Sequence, residues 1–468
     1  MTGRLPLSPW IPLWVTLLGV WVTGGAGQSL LVPDAAGGTD LPGPWMERLT
    51  EDPEFFRVER GWVHRTLTET ARGAPLSGTL PVLLIQGLFA DSPEPHVSAD
   101  DLRRALFDGP SAFGTLREYY QEVSGGRLLV TGEVLPWIRT GITRARAVGA
   151  SYGLGDEAGT GSFLLELVQA VAPEVDFGEF DNDGPDGEPN SGDDDGFVDA
   201  VAFHFLEVSA SCGGPGIWPH RSRVEYWTGG EPFVSDDART GGGFIRVNDY
   251  TIQSAVDCGG LKVQKATTIS HELGHVLGLP DLYDRSQGLL PQERRWVVGC
   301  WSLMAAGTWG CGTESRLDWV RPTHLGAWEK LRLGWLESVR TVGEGLNQQF
   351  ILHPVQSHEE VLQVPLEAGP LTHRTEYLLM EYRTRTGFDQ DLPASGVLVY
   401  HVNPEIKGNM PCDTCPQQYM VELLEADGNN SLRLTLLQGG NRGGAGDAWG
   451  VNGPGRVTSN TYPSTRKT

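Results

Sequence analysis

The sequence predicts a mixed α/β (α+β) domain followed by a smaller β-rich domain, and three observations carry that expectation. The unbroken apolar run Leu80-Pro-Val-Leu-Leu-Ile85 reads as a strand buried on both faces. Apolar residues at helical spacing then alternate with further strand-like runs as far as Leu333. From Gln348 the texture changes to strand-like runs. The 468 residues also exceed what one core usually serves, since domains hold roughly 100 to 200 residues each.

Taken in order, residues 1–27 have the form of an export signal. Arg4 leads, the stretch from Trp10 to Val22 is apolar, and Gly24-Gly25-Ala26-Gly27 supplies small residues for cleavage. The apolar run falls short of the roughly 20 residues that span a bilayer, and no later segment is long and apolar enough. A secreted, extracellular protein with no stable membrane anchor after signal cleavage is expected. Residues 28–78 are polar and broken by Pro and Gly, with one helical stretch around Pro44 to Arg60, and read as a propeptide or an N-terminal wrap.

Residues 79–335 form the expected α/β domain. After the Leu80 strand come a helix from Leu116 to Glu122, a turn at Ser124-Gly125-Gly126, a strand from Leu128 to Val134 and a helix from Phe163 to Val171. An acidic, Gly-rich loop spans 181–199, a strand runs from Val198 to Phe205, and a last helix runs from about Thr323 to Leu333. In the β-rich part, 336–468, strands are expected at Phe350 to His353, Val361 to Val364, Tyr377 to Tyr382, Gly396 to Val402 and Met420 to Leu424.

The net charge of -23 repels phosphate backbones, which argues against a nucleic-acid partner. Cys212, Cys258, Cys300, Cys311, Cys412 and Cys415 are even in number, and in an exported chain read as disulfides. Cys300 and Cys311 flank a short loop that they could close. Cys412 and Cys415 form a lone CxxC, better suited to a small disulfide loop than to a metal site lacking two further ligands.

The chemistry concentrates in His271-Glu-Leu-Gly-His-Val-Leu-Gly-Leu-Pro-Asp-Leu-Tyr-Asp284. Residues four apart lie one helical turn above each other, so His271 and His275 can present imidazole nitrogens to one zinc ion. Glu272 beside them suits a general base acting on a zinc-bound water. Ile269, Leu273, Val276 and Leu277 form the packing stripe. Gly278 and Pro280 end the helix and swing Asp281 back as third ligand, leaving a fourth position open as catalytic zinc sites require. The bland alternative is a surface helix that contains HExxH by chance, and Asp281 could instead cap the turn while Asp284 or a distant Glu, as in thermolysin-type enzymes, completes the site. Trp301-Ser-Leu-Met304-Ala-Ala-Gly307 has the form of a tight turn placing Met304 beneath the metal; by itself Met304 would be a plain core residue.

Asp181, Asp183, Asp193, Asp195 and Asp199 crowd one loop with Gly184 and Gly196, a set of hard oxygen donors suited to calcium unless the loop is merely solvated. No cysteine precedes Cys212, so a propeptide thiolate cannot be the group that keeps a zymogen silent.

These elements in this order resemble the immune inhibitor A family of secreted zinc metallopeptidases. The resemblance runs through Phe113-Gly-Thr-Leu-Arg-Glu-Tyr-Tyr120, Ser124 to Leu128, Gly132-Glu-Val134 with Trp137, Phe180-Asp-Asn-Asp183, Asp193-Asp-Asp-Gly-Phe-Val-Asp199 and Ile217-Trp-Pro-His220. It continues through the zinc helix, Met304, Arg321-Pro-Thr-His-Leu-Gly-Ala-Trp-Glu-Lys330, Leu333-Gly-Trp335, Glu376-Tyr-Leu-Leu-Met-Glu381 and Val421 to Gly428. It implies a metzincin-like zinc peptidase domain, zymogen synthesis, calcium and endopeptidase activity on protein or peptide substrates. His220 is then either a residue near the substrate or a satisfied structural histidine.

Overall fold

The computed structural model describes residues 60–288, 290–312, 321–342, 349–366, 372, 374–409 and 418–450. The export signal, nearly all of the expected Pro44 to Arg60 helix, and Cys412 with Cys415 lie outside the described residues.

The chain enters through a helix, α1 (Gly61–Ala71), and then runs into the predicted central strand, β1 (Gly78–Leu88). Helix α2 (Leu116–Val123) starts at a capping box between Thr115 and Glu118, as a Thr-x-x-Glu sequence dictates. It leads through β2 (Leu128–Val134) and β3 (Ile138–Arg139) to α3 (Thr160–Val171). The acidic loop delivers β4 (Val201–Phe205), followed by the short strands β5 (His220–Arg223), β6 (Phe233–Ala238), β7 (Phe244–Val247) and β8 (Asp249–Ser254). Helix α4 (Thr267–Val276) carries the histidines, and α5 is confined to Ala327–Arg332 rather than starting near Thr323.

The first sheet has the order β2-β1-β4-β8-β5, with β3 also paired to β1. Its pairs are parallel except β5 with β8, so β5 is an antiparallel edge strand. Successive residues of β1 face opposite sides, as strand geometry requires. Leu83 and Ile85 bury against Phe163, Leu164 and Leu167 of α3. Val82 and Leu84 pack on the other side with Tyr119 and Tyr120 of α2 and with Ile269 and Leu273 of α4.

A second sheet, β13-β12-β11-β10-β9, is built from β9 (Ser338–Thr341), β10 (Glu360–Pro365), β11 (Tyr377–Arg383), β12 (Gly396–Val402) and β13 (Val421–Leu423). The expected run from Phe350 to His353 is no strand; His353 instead turns back, its backbone N–H and ring bonding Glu360. One face of this sheet, with Val361, Leu379, Leu398 and Tyr400, belongs to the same buried cluster as Leu84, Leu273 and Met304. The opposite face closes over Leu362, Met380, Val399 and Trp449. Disulfides join Cys212 to Cys258 and Cys300 to Cys311. Among the described residues no helix is long and apolar enough to cross a membrane.

Candidate metal centre

Helix α4 buries Ile269, Leu273 and Val276 in the core, which fixes the rotation of its other face. Its end is a Schellman turn: Gly278 N–H donates to His275 O at 2.9 Å and Leu279 N–H to Gly274 O at 3.0 Å. Gly278 sits at φ +88°, a conformation that strains side-chain-bearing residues. Pro280 stops the helix, and the reversed chain brings Asp281 Oδ1 to 3.1 Å from His271 Nε2 and 3.4 Å from His275 Nε2. His271, His275 and Asp281 thus offer three ligand atoms within 4.8 Å of one another.

The remaining ring nitrogens explain the orientation. His271 Nδ1 lies 2.9 Å from Leu303 O, and His275 Nδ1 lies 2.7 Å from Leu279 O. A carbonyl oxygen only accepts, so each Nδ1 carries the hydrogen and each Nε2 turns its lone pair to the centre. Two imidazole lone pairs and a carboxylate oxygen converge without a donor among them, a set that requires a proton or a cation. Its nitrogen and oxygen composition suits zinc. The other carboxylate oxygen, Asp281 Oδ2, accepts from Arg285 Nη1 at 3.2 Å.

Electrostatics follow from this packing. Burial disfavours charge on Asp281, but His275, His271 and Arg285 outweigh it and hold the carboxyl well below the usual range. Burial likewise opposes charge on His271, yet the bond that a protonated ring would donate to Asp281 and the charges of Glu272 and Asp281 raise its pKa. Glu272 is buried beside them, and burial raises its pKa against the pull of both histidines. Arg221 of β5 donates to His275 O at 2.7 Å and pairs with Asp249.

Asp284, weighed as an alternative ligand, is engaged elsewhere: it accepts from Arg295 at 2.7 Å, Ser286 N–H at 2.8 Å and Tyr419 OH at 3.2 Å. Met304 lies fully buried under the helix. A Cβ on Gly274 would stand 2.5 Å from its Sδ, and Leu282 N–H donates to Met304 O at 2.8 Å. His220 uses both ring nitrogens internally, on Trp218 O at 2.7 Å and Tyr250 OH at 3.2 Å, and burial lowers its pKa to about 4. Its ring nitrogens are thus satisfied within the protein.

Sequence reasoning missed Arg285, Arg221, the Leu303 carbonyl and Tyr283, whose ring stacks 6.4 Å from that of His271. Only Arg285 carried a signal, standing four residues after Asp281.

The acidic loop brings together Asp181, Asp183 and Asp199. Both Asp181 oxygens and Asp199 Oδ1 are buried without a protein partner. Burial, reinforced by neighbouring carboxylates, pushes Asp181 up to about 8 and Asp183 to about 6, and burial pushes Asp199 well up. Buried carboxylates with little counter-charge are neutralised by a proton or a cation, and an all-oxygen donor set is the kind calcium accepts. Asp195 instead accepts from Gly61 N–H at 3.1 Å and Phe197 N–H at 2.9 Å. Asp193 is turned to Ser191 Oγ and Asp186 N–H, outside the cluster. Helix α1 spans the distance between loop and metal helix: Arg65 donates to Gly184 O at 2.9 Å and Thr66 to Leu277 O at 3.0 Å.

Against known proteins, residues 101–336 match the model of the immune inhibitor A peptidase M6 catalytic domain. The pre-pro-metalloprotease PrtV of Vibrio cholerae is 26% identical over 236 residues, covering 48% of this chain and 24% of that protein. Immune inhibitor A of Bacillus thuringiensis is 31% identical over 223 residues, covering 44% of this chain and 30% of that protein. The matches thus cover less than a third of the length of either relative.

Proposed function

The chain belongs to the immune inhibitor A family of peptidases, and from that premise we propose that it is a secreted, zinc-dependent endopeptidase with a metzincin-like catalytic domain. The observation that supports this most directly is the convergence of His271 Nε2, His275 Nε2 and an Asp281 oxygen within 4.8 Å, with Glu272 beside them. His271, His275 and Asp281 would hold zinc, whose chemistry when bound is that of a Lewis acid, polarising the scissile carbonyl and acidifying water.

Glu272 takes the proton of the attacking water at a carboxylate oxygen and passes it to the leaving amine nitrogen. Its burial beside His271 and His275 supports this role. Arg285 holds Asp281 by its outer oxygen, leaving the inner one for the ion. The substrate lies extended along the antiparallel edge strand β5, which reaches the helix through Arg221 and His275 O. Asp181, Asp183 and Asp199 hold calcium, and helix α1 ties that loop to the end of α4. The disulfides Cys212–Cys258 and Cys300–Cys311 suit an oxidising, extracellular setting.

Glu272→Gln tests the mechanism. Zinc content measured by plasma emission should be unchanged, while cleavage of casein falls at least about a hundredfold. Proteolysis at the wild-type rate with zinc bound refutes the role of Glu272.

A further inference from the structure

The turn beneath the metal helix is held from the far side by the second sheet. Leu303, whose carbonyl orients His271, donates its own N–H to His324 O at 3.2 Å, and His324 N–H donates to Asp389 Oδ1 at 3.0 Å. Asp389 is clamped by Arg383 of β11, whose Nε and Nη2 donate to its two oxygens at 2.8 and 2.6 Å. The same guanidinium donates from Nη1 to Trp301 O at 3.0 Å and to Glu381 Oε1 at 3.1 Å. Two further bonds brace this turn: Ser302 Oγ–H donates to Glu329, and Trp301 Nε1–H donates to Asp447 Oδ2 at 2.9 Å. Arg383 and Asp389 are both fully buried.

We propose that Arg383 and Asp389 are positioning residues of the metal centre, fixing the Trp301–Met304 turn and through Leu303 O the orientation of His271. A buried ion pair is a poor source of stability, because desolvation consumes most of its Coulombic gain. This one provides directed bonds instead. A bidentate guanidinium fixes Asp389 in angle as well as distance, and from it the register passes through His324 and Leu303 to a metal-facing nitrogen. Arg383, Asp389 and Asp447 all lie beyond residue 336, where the match to the catalytic-domain model stops. The metal centre therefore extends into the second sheet.

This inference rests on His271, His275 and Asp281 holding zinc, so wild type and His271→Ala are measured alongside. The full-length chain is stripped of metal, and zinc affinity is read by competition with a chelator, with the visible spectrum of the cobalt-substituted protein as a second readout. Arg383→Lys keeps the charge but loses the fork. It should fold, lower zinc affinity about ten- to hundredfold and alter the cobalt spectrum. Leu362→Ala, on the opposite face of the second sheet, should lower the melting temperature and leave both readouts unchanged.

If Arg383→Lys does not fold, Asp389→Asn, which keeps the shape of the partner while loosening the clamp, takes its place with the same expectation. Unchanged affinity and spectrum in the folded variant overturn the proposal. So does an equal loss of affinity in Leu362→Ala, which would reduce the effect to general destabilisation. Wild type that binds no zinc, or His271→Ala that binds it as well as wild type, instead refutes the zinc assignment itself.

Discussion

Gly274 lies between the two histidines, where a glycine costs the helix roughly 1 kcal/mol relative to alanine. An added Cβ would stand 2.5 Å from Met304 Sδ and 3.3 Å from its Cε, against an ordinary contact of about 3.5–4 Å. The sulphur would have to retreat by about 1 Å, and its neighbours Leu303, Ala305 and Ala306 are fully buried. Overpacking of this kind costs about 1–3 kcal/mol. Set against the helical gain of about 1 kcal/mol, Gly274→Ala should destabilise by about 0–2 kcal/mol in the wild-type background.

With Met304 shortened to Ala the obstruction disappears, and the same substitution should stabilise by roughly 1 kcal/mol. Denaturant unfolding of the metal-free protein and its two single and one double variants closes the cycle. The expected coupling is about 1–3 kcal/mol. Equal effects of Gly274→Ala in both backgrounds would refute the packing of Met304 under the metal helix.

Three other perturbations reach different parts of the structure. Burial works against ionisation of Asp389, but Arg383 and His324 hold its pKa at about 2. A lowered carboxyl pKa contributes stability that is present above pH 4 and lost as pH falls towards 2; Asp389→Asn should therefore flatten the acid limb of the unfolding free energy by about 2 kcal/mol, and an unchanged limb would count against the pair. Trp62 of α1 is 1% exposed, so Trp62→Ala should cost about 3–5 kcal/mol, and sequencing the active enzyme should find residues 61–71 retained; an active chain beginning after Ala71 contradicts this. A calcium chelator should lower the melting temperature, with calcium at a hundred times its dissociation constant contributing about 2.7 kcal/mol, and Asp181→Asn should remove that sensitivity; a chelator effect that persists in the variant excludes Asp181 as a ligand.

The elements legible in the sequence were those with a clear period. Strand β1, α2 and α3 bury one or both faces completely, and their apolar spacing follows. Strands β5 and β8 escaped notice because His220-Arg-Ser-Arg and Asp249-Tyr-Thr-Ile-Gln-Ser mix polar and apolar residues although most are buried. Helix α1 was hidden by three threonines and a leading glycine, all weak helix formers; its Trp62, Val63 and Thr66 are held by contacts with distant segments. The run from Phe350 to His353 looked like a strand because composition registers apolar residues but not the availability of a partner strand.

Within the site, His271, Glu272, His275 and Asp281 were visible because helix period and turn chemistry tie them into one local stretch. Leu303 O, Arg383 and Asp389 reach the same centre only through tertiary contacts. Composition singled out the acidic loop, but which carboxylates point inward depends on the fold, and Asp193 spends its oxygens on the loop itself.

Strand β5 has one further consequence. Among the described residues it ends its sheet with no strand beyond it, and an edge strand, where its backbone is reached, can pair with an extended chain, including the same edge of a second copy. Surface charge then governs the company such an edge keeps. With a net charge of -23, two copies repel at long range while neutral or basic chains approach freely, and salt that screens the repulsion should promote self-association. The acidity of this protein thus works against pairing of that edge with a second copy.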